Sequence, residues 1–251
     1  MRLLALAALL CMAPMQGAWA KGVPAAPPKA PALGTASNFA ALGYAGVTCT
    51  SDGTHGVVGN VGSYPSASIT GFPPSSTLCT LTGNLHLGDA VAHTAYNDLF
   101  APGAASVDSK LGAMVCPPAN NLTGQNLGGK TLAPGVYCFN TGAELTGLND
   151  LTLAGNNTAV WVFQVGTTLT TDTASVVMSG GGLACNVFWR LGSAATIGKG
   201  TELRGNILAY AGIGLIGPDA SLIGRAFSET ASVTMANADI FISAGGKSCP
   251  K

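Results

Sequence analysis

The chain predicts a mainly β fold: a three-sided β-solenoid, right- or left-handed, with one long or broken α-helix packed alongside. Three observations carry this expectation. Between about Thr146 and Ile240 one pattern recurs, an alternating apolar run followed by a small Thr/Ser/Ala/Gly segment. Val160–Thr171, Asn186–Ile197, Asn206–Leu215 and Arg225–Met235 are four versions of it, and their aligned positions Thr170, Thr196, Gly214 and Thr234 step by 26, 18 and 20 residues. Internal periods of this size are those of solenoid turns with variable corners. Next, 35 glycines with 6% aromatic residues point to many turns and thin layers of small side chains. Last, one stretch, Asp89–Phe100, has helical periodicity where its surroundings read as strands.

In chain order, residues 1–20 read as a signal peptide. Arg2 supplies the positive start, Leu3–Leu10 the apolar run and Ala18-Trp19-Ala20 the cleavage site. The apolar run is too short to span a membrane as a helix, so the expected location is secreted, extracellular or periplasmic, without membrane insertion. Residues 21–32 carry Pro24, Pro27, Pro28 and Pro31 among alanines, and read as a linker. Residues 33–251 form the expected solenoid domain, long enough to bury one core.

Phe39–Leu42, Val57–Val61 and Ile69–Phe72 are the first expected strands, and Pro73-Pro74 ends the third. The helix at Asp89–Phe100 places Val91, Ala95 and Leu99 on one face, flanked by Ala92 and Tyr96, with Asp89 as N-cap or first-turn acid. Pro102-Gly103 ends or kinks it, and a second helical stretch is expected from about Ser106 to Met114. Strands resume after Pro117-Pro118, with Leu145, Leu148, Leu151 and Leu153 as apolar positions.

Removing Cys11 with the signal leaves Cys49, Cys79, Cys116, Cys138, Cys185 and Cys249, an even number that suits disulfides in an exported chain. Fifteen pairings are possible. The expected set is Cys49–Cys79, Cys116–Cys138 and Cys185–Cys249. No Cys/His spacing suits a metal, so neither metal nor other cofactor is expected.

Charged residues make up 9% of the chain and the net charge is zero. Without Lys/Arg clusters, nucleic acid is not an expected partner. Catalysis needs converging ionisable groups, and these are scattered: His55, His86 and His93, with Glu144, Asp150 and Asp172 near the first coils. Asp52 and His55 share a loop, but no G-x-S-x-G turn marks a nucleophile. Arg190, Lys199, Arg204 and Arg225 read as solvent-facing or corner residues, and His93 as a helix-surface residue. The chain is therefore not expected to be an enzyme. Trp161, Phe163, Phe188 and Trp189 raise the question of sugar stacking, but rings at alternating strand positions are more often packing.

Alternation points Leu169, Ala195, Ile213 and Val233 inward. Their neighbours then point outward: Thr168 and Thr170, Ala194 and Thr196, Gly212 and Gly214, Ser232 and Thr234. A one-residue slip would reverse every assignment. Neighbouring strands lie about 4.7–4.9 Å apart and alternate residues about 6.6–6.8 Å apart. Outward positions thus make a grid, on which the branched Cβ of Thr holds methyl and hydroxyl groups in place.

Six motifs occur in order: Leu33–Gly43 (LGTASNFAALG), Ile69–Pro74 (ITGFPP), Leu122–Phe139 (LTGQNLGGKTLAPGVYCF), Ala184–Trp189 (ACNVFW), Gly205–Ala209 (GNILA) and Gly224–Phe227 (GRAF). Together they resemble the widespread microbial ice-binding protein family, over about residues 33–242. The resemblance implies a discontinuous three-sided β-helix whose N-terminal strands complete the solenoid beside the C-terminal coils, with a flanking helix. It implies an ice crystal surface as partner of a monomeric antifreeze protein, contacted through Thr-Ala/Gly-x-Thr/Asn on successive strands. Ser193-Ala194-Ala195-Thr196 is the nearest match. Thr167-Thr168-Leu169-Thr170 keeps both end threonines and Ala231-Ser232-Val233-Thr234 the last. Ala211-Gly212-Ile213-Gly214 has no hydroxyl, and Gly46 and Thr48 extend the row towards the N-terminus. The other function considered is an extracellular adhesion or matrix module using the same solenoid as a carbohydrate-binding or structural surface.

Overall fold

A computed structural model describes residues 27–242. The signal peptide, the first part of the linker and Cys249 lie outside the described residues. Every strand pairing among the described residues is parallel. The chain winds through three faces in turn. One face, called here the ladder face, runs from Ala143–Thr146 through Leu169–Asp172, Ala195–Ile197 and residues 213–216 and 232–236 to Gly46–Thr50 and Ile69–Thr70. A second runs from Gly135–Phe139 through Trp161–Val165 and Val187–Leu191 to Phe39–Gly43, Asn60–Ser63 and Leu85–Leu87. The third includes Thr131–Leu132, Leu151–Ala154, Val176–Ser179, Gly56–Val58 and Thr80–Thr82.

The solenoid is discontinuous, as expected. Ala41 pairs with Ala226, Thr48 with Thr234 and Val57 with Ile240. One coil therefore takes its third face from residues 238–241 and its other two from residues 39–50. Residues 90–120 then carry the chain back along the stack; Asn121 and Asn126 bridge in parallel to Cys138 and Glu144 and cap it, and the first full coil begins at Thr131. Parallel pairing of both chain ends makes the N-terminal strands and the C-terminal coils mutually dependent.

Inward residues fill a continuous core. Tyr137, Phe163 and Trp189 stack through it, with ring centroids 5.6 Å and 4.0 Å apart. Trp161 and Trp189 satisfy their ring N–H groups on the carbonyls of Leu132 and Arg204, which lets two polar-tipped rings be fully buried. Phe188 is buried as well, but on the outer side, beneath the helices. None of these four rings is free to stack on a sugar.

Helix α1 (Ala90–Phe100) begins where Asp89 accepts a hydrogen bond from the Ala92 N–H at 2.8 Å, and this holds its carboxyl below the ordinary value. It ends before Pro102, whose ring cannot continue the i→i−4 ladder. Its buried face is Ala92, Ala95, Leu99 and Phe100, packed on Leu33, Phe39, Leu42, Leu208 and Phe227. Val91, expected on that face, is 43% exposed; the true stripe follows i, i+3, i+7 from Ala92 rather than steps of four from Val91. Helix α2 (Val107–Gly112) is shorter than the expected Ser106–Met114, with Ser106 as its N-cap. Leu148, expected as an apolar position of the fold, is 92% exposed at a turn.

Two expected disulfides are present, Cys49–Cys79 inside the core and Cys116–Cys138 tying the segment after α2 to the helix-bearing face. The latter closes a loop of 22 residues, for which the chain-entropy account gives about 3 kcal/mol. Replacing both Cys116 and Cys138 by Ala is expected to lower unfolding free energy by about that amount in urea melts.

Candidate functional site

The ladder face carries the outward residues singled out from sequence, and their register is the aligned one. Thr170 pairs with Thr196, Thr196 with Gly214, Gly214 with Thr234, and Thr234 with Thr48. Their inward companions Leu169, Ala195, Ile213, Val233 and Val47 are all buried. The parallel neighbouring row is Thr168, Ala194, Gly212, Ser232 and Gly46, set by backbone bonds such as Leu169 N–H to Ala194 C=O and Ala195 N–H to Gly212 C=O. Thr168, Thr170 and Thr234 are exposed; Ala194, Thr196, Gly212, Gly214, Ser232 and Thr48 are half-buried; Gly46 is buried.

The row is longer than sequence reasoning made it. Thr70 pairs with Thr48, and their hydroxyls lie 3.3 Å apart. Ser68 extends the neighbouring row, its carbonyl accepting from the Val47 N–H. The signal was present: Ser68-Ile69-Thr70 repeats the pattern of Ser232-Val233-Thr234. A third outward row follows, with Ile216 beside Ala236 and Ala236 beside Thr50. At the other end Glu144 pairs with Thr170 and Asp172 is exposed, so carboxylates bound the hydroxyl rows.

Local sequence explains this arrangement. Inward Leu, Ile and Val positions fix the strand phase, because a slip would expose all of them. Thr is stiff at χ1 and favoured on pleated surfaces. The two glycines in the fourth coil remove both side chains from its part of the grid, and leave the exposed Ile216 next to them.

The ionisable groups do not converge on this face. Asp52 turns back on Thr54, whose N–H donates at 3.0 Å, so it does not meet His55 as its loop position suggested. His55 instead lies 3.0 Å from Asp239, whose other oxygen accepts from Gly56 N–H. His86 lies 2.8 Å from Asp89, and the exposed His93 stacks on Tyr64. Arg190 pairs with Asp108 and Arg204 with Glu202.

Arg225 overturns its expected place at a solvent-facing corner. It is buried, donates to the Ser37 carbonyl and to Asn206 Oδ1, and burial pushes its guanidinium down to about 10. Its partners lie on the N-terminal segment and on the preceding coil, so it clamps the junction between the two chain ends. Among the described residues no group of three or more His, Cys, Asp or Glu is placed to hold a metal ion, and no helix is long and apolar enough to cross a membrane.

Comparison with known proteins agrees with this geometry. The ice-binding-like family profile matches residues 41–241. An ice-binding protein of Nostoc sp. (strain HG1) is 41% identical over 203 residues, covering 81% of this chain and 71% of the relative. The crystal structure of an ice-binding protein from an Antarctic biological consortium superposes with a TM-score of 0.75 at 32% identity, over 86% of this chain and 92% of that one. That of an ice-binding protein from the Antarctic ascomycete Antarctomyces psychrotrophicus gives 0.72 at 31% identity, over 86% and 100%. A three-faced parallel solenoid closed by its own N-terminal strands, matched along nearly its whole described length, makes this chain a member of the ice-binding-like family.

Proposed function

We propose that this protein is exported after signal-peptide removal and, as a monomer, adsorbs to ice through the ladder face. The observation that carries the reading is one unbroken register: Thr170, Thr196, Gly214, Thr234, Thr48 and Thr70 follow one another on adjacent strands. With strands about 4.8 Å apart, the threonine hydroxyls on either side of the Gly214 gap repeat on the length scale of ordered water. The hydroxyls bond a water layer, while stiff methyl groups limit how that layer orients. Adsorbed molecules pin the crystal front, curve the ice between them, and so oppose growth and recrystallisation. The test is thermal hysteresis of the purified mature chain; a freezing point equal to the melting point overturns the reading.

The glycine coil offers a gain-of-function test. A Cβ at Gly214 would lie 3.5 Å from the Ile216 side chain, 3.6 Å from Thr234 Oγ1 and 4.0 Å from the Ala195 carbonyl. These are ordinary contacts for a Cβ, and Gly214→Thr would make the central hydroxyl row continuous. Thermal hysteresis is expected to rise. Stability is expected to rise by about 0.5–1 kcal/mol in urea melts, since glycine within a strand loses more conformational freedom on folding.

A further inference from the structure

Beside the ladder face runs a corner that the proposed adsorption to ice does not use. Backbone bonds place Tyr210, Glu229, Tyr44 and Tyr64 at the same corner position of four successive coils: their N–H groups donate to the carbonyls of Leu191, Ala209, Ser228 and Gly43. Tyr210 is 55% exposed and Tyr44 40% exposed. Tyr64 is covered by the His93 ring, stacked at 4.4 Å. The two open rings are therefore two coils apart, about 9.4–9.8 Å along the solenoid axis, with the half-buried Glu229 on the coil between them. The ridge is held from behind. The Tyr96 ring lies 5.9 Å from that of Tyr44, and its hydroxyl donates to the Glu229 carbonyl at 2.7 Å.

We infer that this ridge is a second binding site, for an uncharged, extended β-linked pyranose chain. Aromatic faces present a negative π-surface to the C–H face of a sugar, and tyrosine adds a hydroxyl at its rim. In an extended β-linked chain alternate units present the same face, and the two-unit repeat is close to the spacing of Tyr210 and Tyr44. The unit between them meets the Glu229 carboxylate, which accepts from sugar hydroxyls. The Tyr44 ring, held in advance against Tyr96, loses little side-chain freedom on binding.

The test is affinity electrophoresis of the mature chain in gels containing hydroxyethylcellulose, with titration of cellohexaose followed by tyrosine fluorescence. The site predicts retarded migration and saturable binding. Tyr210→Ala and Tyr44→Ala should each weaken binding at least about tenfold, Tyr210→Phe should restore most of it, and Glu229→Gln should weaken it less. Thermal hysteresis of Tyr210→Ala should equal that of the parent, which separates this site from the ladder face and reports that the variant is folded. Absence of binding to either glucan overturns the inference, whatever proteins the ridge captures. So does unchanged binding by the alanine variants, or equal affinity for the coiled α-linked chain of maltohexaose.

Discussion

Thr196→Tyr is expected to remove most of the thermal hysteresis while leaving the melting curve nearly unchanged. Thr196 sits in the middle of the hydroxyl row, between Thr170 and Gly214, with Ala194 on the adjacent row. A phenol there stands above its neighbours and holds ice away from Thr170 and Thr168 as well as from itself. The strand tolerates it: the inward residues Ala195 and Ile197 that carry the packing are untouched, and surface changes away from caps, cores and buried networks cost within about 0.5 kcal/mol. An adhesion module using another surface would show no change in its binding with this variant.

Trp189→Ala has the largest expected effect on stability, about 3–5 kcal/mol in urea melts. The ring is fully buried, lies 4.0 Å from Phe163 at an interplanar angle of 9°, and donates to the Arg204 carbonyl at 3.0 Å. Truncation leaves a void inside the solenoid, which rigid neighbouring coils fill poorly, and it removes the donor to the half-buried Arg204 carbonyl. Trp189 lies in the coil that goes on to Thr196. Phe163→Leu is expected to cost less, because a smaller void remains and no hydrogen bond is lost.

Much of this architecture was legible in the sequence because the solenoid repeats itself. Leu169, Ala195, Ile213 and Val233 mark the same inward position in four coils, so one alignment sets the phase for all, and the observed pairs match it. The N-terminal coils were harder. Their strands are short, down to two residues at Ile69–Thr70, and three outward hydroxyls separated by long corners do not read as a period. Ser68 and Thr70 were missed for that reason.

Arg225 was misplaced because polarity at a strand position reads as solvent exposure. Only tertiary structure supplies the Ser37 carbonyl, 188 residues away in sequence, that makes burial tolerable. Val91 was misplaced because both helical faces of an alanine-rich segment are apolar; the packing partners Leu208 and Phe227, remote in sequence, decide which face is covered. Phe188 and Trp189 are adjacent and face opposite ways, yet both are buried, because helices α1 and α2, with Leu33 and Ala36, cover the outer side of that sheet. Alternation alone identifies two sides, and does not say that both are filled.

The most direct test of the central claim is incorporation of the fluorescently labelled mature chain into a single ice hemisphere grown slowly from dilute solution, run beside Thr196→Tyr. The ladder face predicts that the parent chain enters the ice and the variant is left in the liquid. Exclusion of the parent, or equal incorporation of both, would contradict it.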